Sequence, residues 1–342
     1  MNHFDVIIVG AGPAGLICAE KLIGTSLSIL LIEKDTVFGD KVCAGGLTRK
    51  DLSIFNIPDE IIAHKVKKTA VHSPKRFSYA ETPETIVITM DRKDLGTFQR
   101  LRIEDSEVKI LSGTRVSEIK EESVLTSDGS EYRYKYLVGA DGYASMVRRY
   151  LKIPVKRKLI GIQYIVPVPD LDPKLEIFLD SRHFHAWYGW IFPHREKISV
   201  GCCCDTRYYS SSKLKKNFHK WLEKKKIDVT KAEYQSAPIS YDYRGLKFGN
   251  IFLAGEAAGM ASGLTGEGIY QCLVSGKQVA AYIRGEDEEM EDMKFVRKYN
   301  RIQLRLMHFF ILIGPFRSLI HELIIILLNN KHFKAKINKG FS

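Results

Sequence analysis

An apolar run, DVIIVG at residues 5–10, leads directly into Gly10-Ala11-Gly12-Pro13-Ala14-Gly15. An unbroken run of this kind reads as a strand buried on both faces. The glycine spacing then leaves few folds open. The first glycine permits a tight turn, the second lets backbone approach a pyrophosphate, and the third lets a helix pack closely on the strand. A helix is predicted over 13–24, with Pro13 and Ala14 in its first turn. Its N-terminus offers unpaired N–H groups and the positive end of its dipole to phosphates. SILLIE (28–33) is the next strand. Glu33 at its end is placed to accept from ribose hydroxyls, with Lys34 beside it. Strand, turn, helix, strand and acid in this order predict a Rossmann-like dinucleotide-binding domain, which serves NAD and FAD equally well.

The chain has 342 residues, enough for two domains. Short alternating segments follow at about 69–90, then a helix over 91–101. Tyrosines at 132, 134 and 136 alternate after a Ser-Asp-Gly turn, as in a half-buried hairpin strand. From 158 to 206 the pattern is strand-rich and suggests an antiparallel sheet. Residues 211–226 form an amphipathic helix with Leu214, Phe218, Trp221 and Leu222 on one stripe. NIFLAGEAAG (250–259) returns to the strand-then-glycine style of the N-terminus, with a helix at about 266–284 and a helical composition over 288–328. The expected architecture is α/β (α+β overall). A discontinuous nucleotide-binding domain takes 1–60, 84–156 and 245–287. A substrate domain built on the antiparallel sheet takes 61–83 and 157–244, and 288–342 is a C-terminal helical segment.

Six cysteines contain no C-x-x-C pair. Cys202, Cys203 and Cys204 are adjacent, so on a strand they alternate and cannot converge on a metal. No metal site is expected, and the usage fits a reducing cytoplasm. The N-terminus lacks a basic region before its apolar run, so no signal peptide is expected.

The formal charge of +12 is concentrated in two places. Residues 213–226 carry seven lysines and one glutamate, and 305–342 carry six cations and one acid, leaving the remainder at +1. No nucleic-acid-binding motif accompanies either patch, so no nucleic-acid partner is expected. Fourteen of the twenty residues in 309–328 are strongly apolar, but Arg317, His321, Glu322 and a Gly314-Pro315 break lie among them. The insertion balance is near zero, which favours a buried or interfacial helix over a span. An anionic membrane surface contacted through 211–226 and 305–342 is the expected use of the charge, with the protein peripheral at the cytoplasmic face.

Two later segments choose the cofactor. LVGADGYASMVR (137–148) and IFLAGEAAGMASGLTGEGI (251–269), together with the N-terminal glycines, resemble the three FAD fingerprints of the para-hydroxybenzoate hydroxylase-like flavoproteins. Within that superfamily, KVCAGG (41–46) and YGWIFP (188–193) resemble two motifs of the geranylgeranyl reductase family, the second matching Y-x-W-x-F-P at every fixed position. The resemblance covers about residues 1–290. It implies FAD as cofactor, with Asp141 and Gly142 near flavin and pyrophosphate and Gly255-Glu256 at the ribityl chain. There the family has Gly-Asp, so this chain's carboxylate is one methylene longer. It also implies Gly266, Gly268 and Ile269 at the flavin pyrimidine edge, Arg92 near the cofactor, Val116 by the adenine, and Ala44 and Gly45 near the isoalloxazine. Tyr188, Trp190, Phe192 and Pro193 would then wall an apolar substrate.

The implied activity is reduction of isolated C=C bonds in an isoprenoid or isoprenoid-lipid chain by hydride from reduced flavin, with Cys43 and Tyr188 as candidate proton donors. No second dinucleotide fingerprint is present. NAD(P)H would therefore bind transiently, or a small redox protein would deliver electrons. Y-x-W-x-F-P is related to a halogenase motif, so an FAD monooxygenase or halogenase is the alternative. A non-enzymatic nucleic-acid- or membrane-binding protein would leave the flavin fingerprints unexplained.

Overall fold

A computed structural model describes residues 2–168 and 174–330. The chain divides into two compact units, 1–41 with 91–158 and 238–303, and 42–90 with 159–237 and 304–342. Residues 42–60, 84–90 and 304–342 lie in the second unit, and 238–244 and 288–303 in the first.

The first unit is built on a mostly parallel sheet. Asn2–Val9 lies between Ile29–Ile32 and Glu131–Gly139, parallel to both, and Ile251–Leu253 and Lys109–Leu111 extend the sheet in parallel. Val6, Ile7 and Ile8 are wholly buried, as a strand covered on both faces requires. The tyrosine strand alternates as expected, with Tyr132 and Tyr134 buried and Arg133 and Lys135 exposed. It forms a hairpin with Ser123–Thr126, closed by Gly129 at φ +84°. Helix Pro13–Leu22 packs on helix Ile269–Ile283, where a Cβ on Gly276 would lie 2.3 Å from the Ala14 carbonyl oxygen. The first helix stops two residues short of the expected 24, just before Gly24 at φ +77°.

The second unit carries a sheet in the order Glu233–Ser240, Lys158–Pro167, Lys197–Asp205, Gly189–Pro193, Leu175–Phe178, Lys68–His72, Phe77–Glu81. From Lys158–Pro167 to Phe77–Glu81 the pairing is antiparallel except between Leu175–Phe178 and Lys68–His72, which run parallel. Cys202, Cys203 and Cys204 are buried within Lys197–Asp205, and burial pushes all three thiols up. A three-stranded sheet of Gly46–Thr48, Val87–Thr89 and His64–Val66 completes it.

Helix Ser211–Lys225 differs from the interfacial role expected of it. Its apolar stripe (Leu214, Phe218, Trp221, Leu222) is at most 2% exposed and packs inward, with Trp221 edge-on to Phe178 and Phe184. The stripe therefore serves the protein core, and lysines form the outer face. The C-terminal helical region is two helices, Glu291–Leu312 and Arg317–Asn329, separated by the turn Gly314–Phe316. Gly314 at φ +48° and Pro315 supply the break.

His185 holds a strained backbone (φ 57°, ψ −114°) and stacks on Tyr209 at 4.9 Å. Burial, and secondarily Arg317, hold its imidazole down to about 4. Between that value and the usual 6.5 the unfolded chain binds the extra proton, so stability falls as pH drops through this window. His185→Asn keeps a residue that tolerates positive φ and removes the titration. In acid-unfolding curves this variant should lose less stability than the parent between pH 6.5 and 4.

Candidate functional site

In the first unit, polar groups gather around the glycine turn. Gly10 has φ +100°, and a Cβ there would lie 2.5 Å from the Ala140 oxygen; at Gly15 it would lie 1.9 Å from the Gly10 oxygen. At Gly12 a Cβ would meet nothing within 4 Å, so the space beside the helix N-terminus is open. Glu33 accepts from Ala11 N at 2.6 Å and Asp35 N at 3.0 Å, tying the turn to the strand end. Each oxygen keeps a lone pair for a further donor. Lys34 projects outward and pairs with Asp35.

Asp141 accepts from Met146 N at 2.6 Å through Oδ2, while Oδ1 is buried with no partner among the described residues. Burial raises its carboxyl above the usual range. Glu256 pairs with Lys41 through Oε1 and leaves Oε2 buried and unpartnered among the described residues. The extra methylene, anomalous in sequence, carries the carboxylate to a lysine. Gly255, at φ +59°, sits against Ala14 and Cys272, and its N–H donates to Ser275 Oγ at 2.9 Å. Burial, and next the Glu256 carboxylate, push the Cys272 thiol up to about 11.

Arg92 Nε and Gln99 Oε1 are likewise buried without partners among the described residues, and the Gln99 amide N–H reaches the Pro13 oxygen at 3.4 Å. Both ends of the Gln271 amide, one turn into the helix that Gly268 caps, are also unsatisfied among these residues. Gly266 takes φ +72° just ahead of that cap, and Ile269 opens the helix. Gly142 has φ +74° with open space beside it. Val116 is buried in Val116–Ile119, paired with Thr126.

Folded proteins rarely bury so many unpaired groups near one helix terminus. Donors on Arg92 and Gln271, acceptors on Asp141 and Glu256, and an open phosphate-type cradle at Gly12 fit a large dinucleotide. Gln99 and Gln271 escaped sequence reading, since a glutamine inside a helix carries no motif.

Arg148 is different. It is 1% exposed, pairs with Asp242 at 3.3 Å, and donates to the oxygens of Ala257 (3.0 Å), Asp242 (2.9 Å) and Ile153 (3.1 Å). It is a brace between the helix Met146–Tyr150 and the turn after Gly255.

The second unit holds the other expected residues. Three successive carbonyls of Cys43-Ala44-Gly45 are each taken by a donor: Gln163 Nε2 at 3.1 Å, His194 Nε2 at 3.1 Å and Met90 N at 3.0 Å. Gly45 has φ +78°, and its N–H lies 3.4 Å from Cys43 Sγ. Gln163 also donates to Gln235 Oε1 at 2.7 Å and accepts from Ser199 Oγ at 2.9 Å, and Ser199 accepts from Trp190 Nε1 at 3.1 Å. A buried polar chain therefore runs from the Y-x-W-x-F-P strand to the cysteine loop.

Trp190 is 9% exposed, and its ring lies 6.1 Å from that of Tyr188. Phe192 covers Gly46, where a Cβ would meet the ring at 2.6 Å, and the Pro193 oxygen accepts from Thr89 Oγ1 at 2.5 Å. Gln163, Ser199 and His194 were not expected from the sequence.

Residues 3–270 match the family model described as FAD binding domain. The chain belongs to this family. An uncharacterized protein of Methanosarcina barkeri is 31% identical over 336 residues, covering 92% of this chain and 84% of the relative. The digeranylgeranylglycerophospholipid reductase of Methanosarcina acetivorans is 28% identical over 321 residues, covering 86% and 79%. Among solved structures, a geranylgeranyl bacteriochlorophyll reductase-like protein from Thermoplasma acidophilum aligns with a TM-score of 0.82 at 20% identity, over 97% of this chain and 92% of that one. The FAD reading of the fingerprints and the resemblance to geranylgeranyl reductases both hold.

The two glycines should separate fold from cofactor. Apo Gly12→Ala should unfold at the parent's midpoint yet bind FAD about tenfold more weakly or worse, a loss of at least about 1.4 kcal/mol by titration. Gly15→Ala should instead lose about 3 kcal/mol or more of stability in urea unfolding, because backbone must move. Gln163→Leu leaves the Cys43 carbonyl without its donor. It should cost about 2 kcal/mol in stability while the purified protein keeps its full FAD content.

Proposed function

We propose that this chain is an FAD-dependent reductase of isolated C=C bonds in an isoprenoid chain, of the kind carried by digeranylgeranyl glycerophospholipids. The observation that carries the reading is that a relative named for this reduction aligns with 86% of the chain, through both units. The intact Y-x-W-x-F-P strand and the clamped cysteine loop support it.

The glycine turn, Glu33, Arg92, Asp141 and Glu256 would hold FAD, and Gly266, Gly268 and Ile269 would border its flavin. When bound and reduced, the cofactor supplies a hydride to one alkene carbon. The other carbon must take a proton, because an unconjugated alkene has no carbonyl to share the charge. Cys43 and Tyr188 are the candidate donors. The three carbonyl contacts hold the backbone that carries Cys43, and the Trp190–Ser199–Gln163 chain joins that loop to the aromatic strand. Trp190 and Phe192 supply apolar surface suited to a hydrocarbon chain and exclude water from it. Electrons would reach the flavin from NAD(P)H binding transiently or from a small redox protein.

Dithionite-reduced holoprotein, given an unsaturated archaeal-type phospholipid under anaerobic conditions, should yield product heavier by one hydrogen pair per bond, read by mass spectrometry. Of Cys43→Ala and Tyr188→Phe, the one that removes the proton donor should slow turnover by about 10²-fold or more, with FAD content unchanged. Turnover that strictly requires oxygen, with oxygen in the product, would replace this reading with a monooxygenase or halogenase.

A further inference from the structure

The outer surface of the C-terminal helices is apolar to an unusual degree. Leu312, Phe316 and Leu319 are 83%, 65% and 58% exposed, and Phe309, Leu323 and Ile326 of the same helices are 45%, 44% and 48% exposed. Soluble proteins seldom leave this much contiguous apolar surface without a partner. The inner side of the same helix is firmly held. His321, Glu322 and Ile325 are buried, Glu322 accepts from Arg76 at 2.9 Å and Lys75 N at 3.0 Å, and Asn329 donates to the Phe77 oxygen at 3.0 Å. The outward residues are therefore not a core awaiting collapse.

Geometry and charge identify the partner. Glu291–Leu312 and Gly314–Asn329 meet at 105°, and Leu312 and Phe316 sit at the bend. No single helix among the described residues is long and apolar enough to cross a membrane. A bent tip with bare apolar side chains is suited to shallow entry at a headgroup boundary. Between Leu304 and Ser342, Glu322 is the only acidic side chain, and Arg76 neutralises it. Arg305, Arg317, Lys331, Lys334, Lys336 and Lys339 are the cations of that stretch, the four lysines lying outside the described residues. By composition, six cations against one acid disfavour pairing with a second copy of the same stretch and favour an anionic bilayer.

We propose that the bent helical pair at 304–330 docks this protein onto an anionic phospholipid bilayer, with Leu312 and Phe316 entering the headgroup boundary. The lysine face of helix Ser211–Lys225 is not required, since its apolar stripe is already used inside the fold.

The test is sedimentation of the full-length FAD-loaded protein with vesicles of phosphatidylcholine alone or enriched in phosphatidylglycerol. The parent should partition onto the anionic vesicles, less onto the neutral ones, and less at high salt. A Leu312→Glu, Phe316→Glu double variant, checked by flavin absorbance for folding, should bind about tenfold more weakly or worse. Equal binding by parent and variant would overturn the proposal and assign the attraction to other lysines. Absence of binding by the parent would also overturn it. A parent dimer that the variant converts to monomer, without vesicle binding, would make the surface an interface between copies.

Discussion

The first unit depends on one close approach, that of helix Pro13–Leu22 to the Gly10 carbonyl. Only a hydrogen at Gly15 permits it, since a methyl group would stand 1.9 Å from that oxygen. Gly276 brings a second helix against the Ala14 carbonyl in the same way, and Gly10 does so with Ala140. These contacts fix where the unpaired N–H groups of the helix end lie. Asp141, which borders Gly10, and Glu256, whose neighbour Gly255 borders Ala14, inherit their positions from them. Burying such carboxylate oxygens without partners costs free energy in the empty protein. A cofactor that satisfies them recovers that cost, so binding and preorganisation are one design.

The second unit achieves a fixed geometry by different means. Glycines again allow close approach in the Cys43 loop, Gly45 to the Met90 oxygen and Gly46 to Phe192, but hydrogen bonds hold its carbonyls. Three donors on separate elements each occupy one of its consecutive carbonyls. A peptide flip at any of these three carbonyls would break a hydrogen bond, which favours the conformation seen. Thr89 fixes the end of the aromatic strand in the same manner, through the Pro193 oxygen.

Much of this was legible in the sequence where a local pattern has a single structural solution. The glycine turn, the alternating tyrosines and the Gly314-Pro315 break are of that kind. The helix over 211–226 was legible as amphipathic, but the direction of its stripe was not, because a core and a bilayer demand the same periodicity. Its burial against Phe178 and Phe184 is a tertiary fact. Gln163 was invisible for another reason. Its partners lie 36, 72 and 120 residues away, and an amide in a strand has no local signature. Lys41 and Glu256, 215 residues apart, likewise make sense only as a pair. The apolar and basic character of 305–342 was legible as well, because hydropathy and charge are local quantities.

The polar chain of the second unit has a direction. Trp190 donates to Ser199, Ser199 to Gln163, and Gln163 through both amide hydrogens to Cys43 and Gln235. No link in this order can be reversed, because indole nitrogen cannot accept and a carbonyl cannot donate. Replacing Ser199 or Gln163 by an apolar residue would therefore strand a partner on either side, and replacing Trp190 would remove the donor to Ser199. Positions 163, 190 and 199 thus act as one unit, in which the effect of changing one depends on the other two.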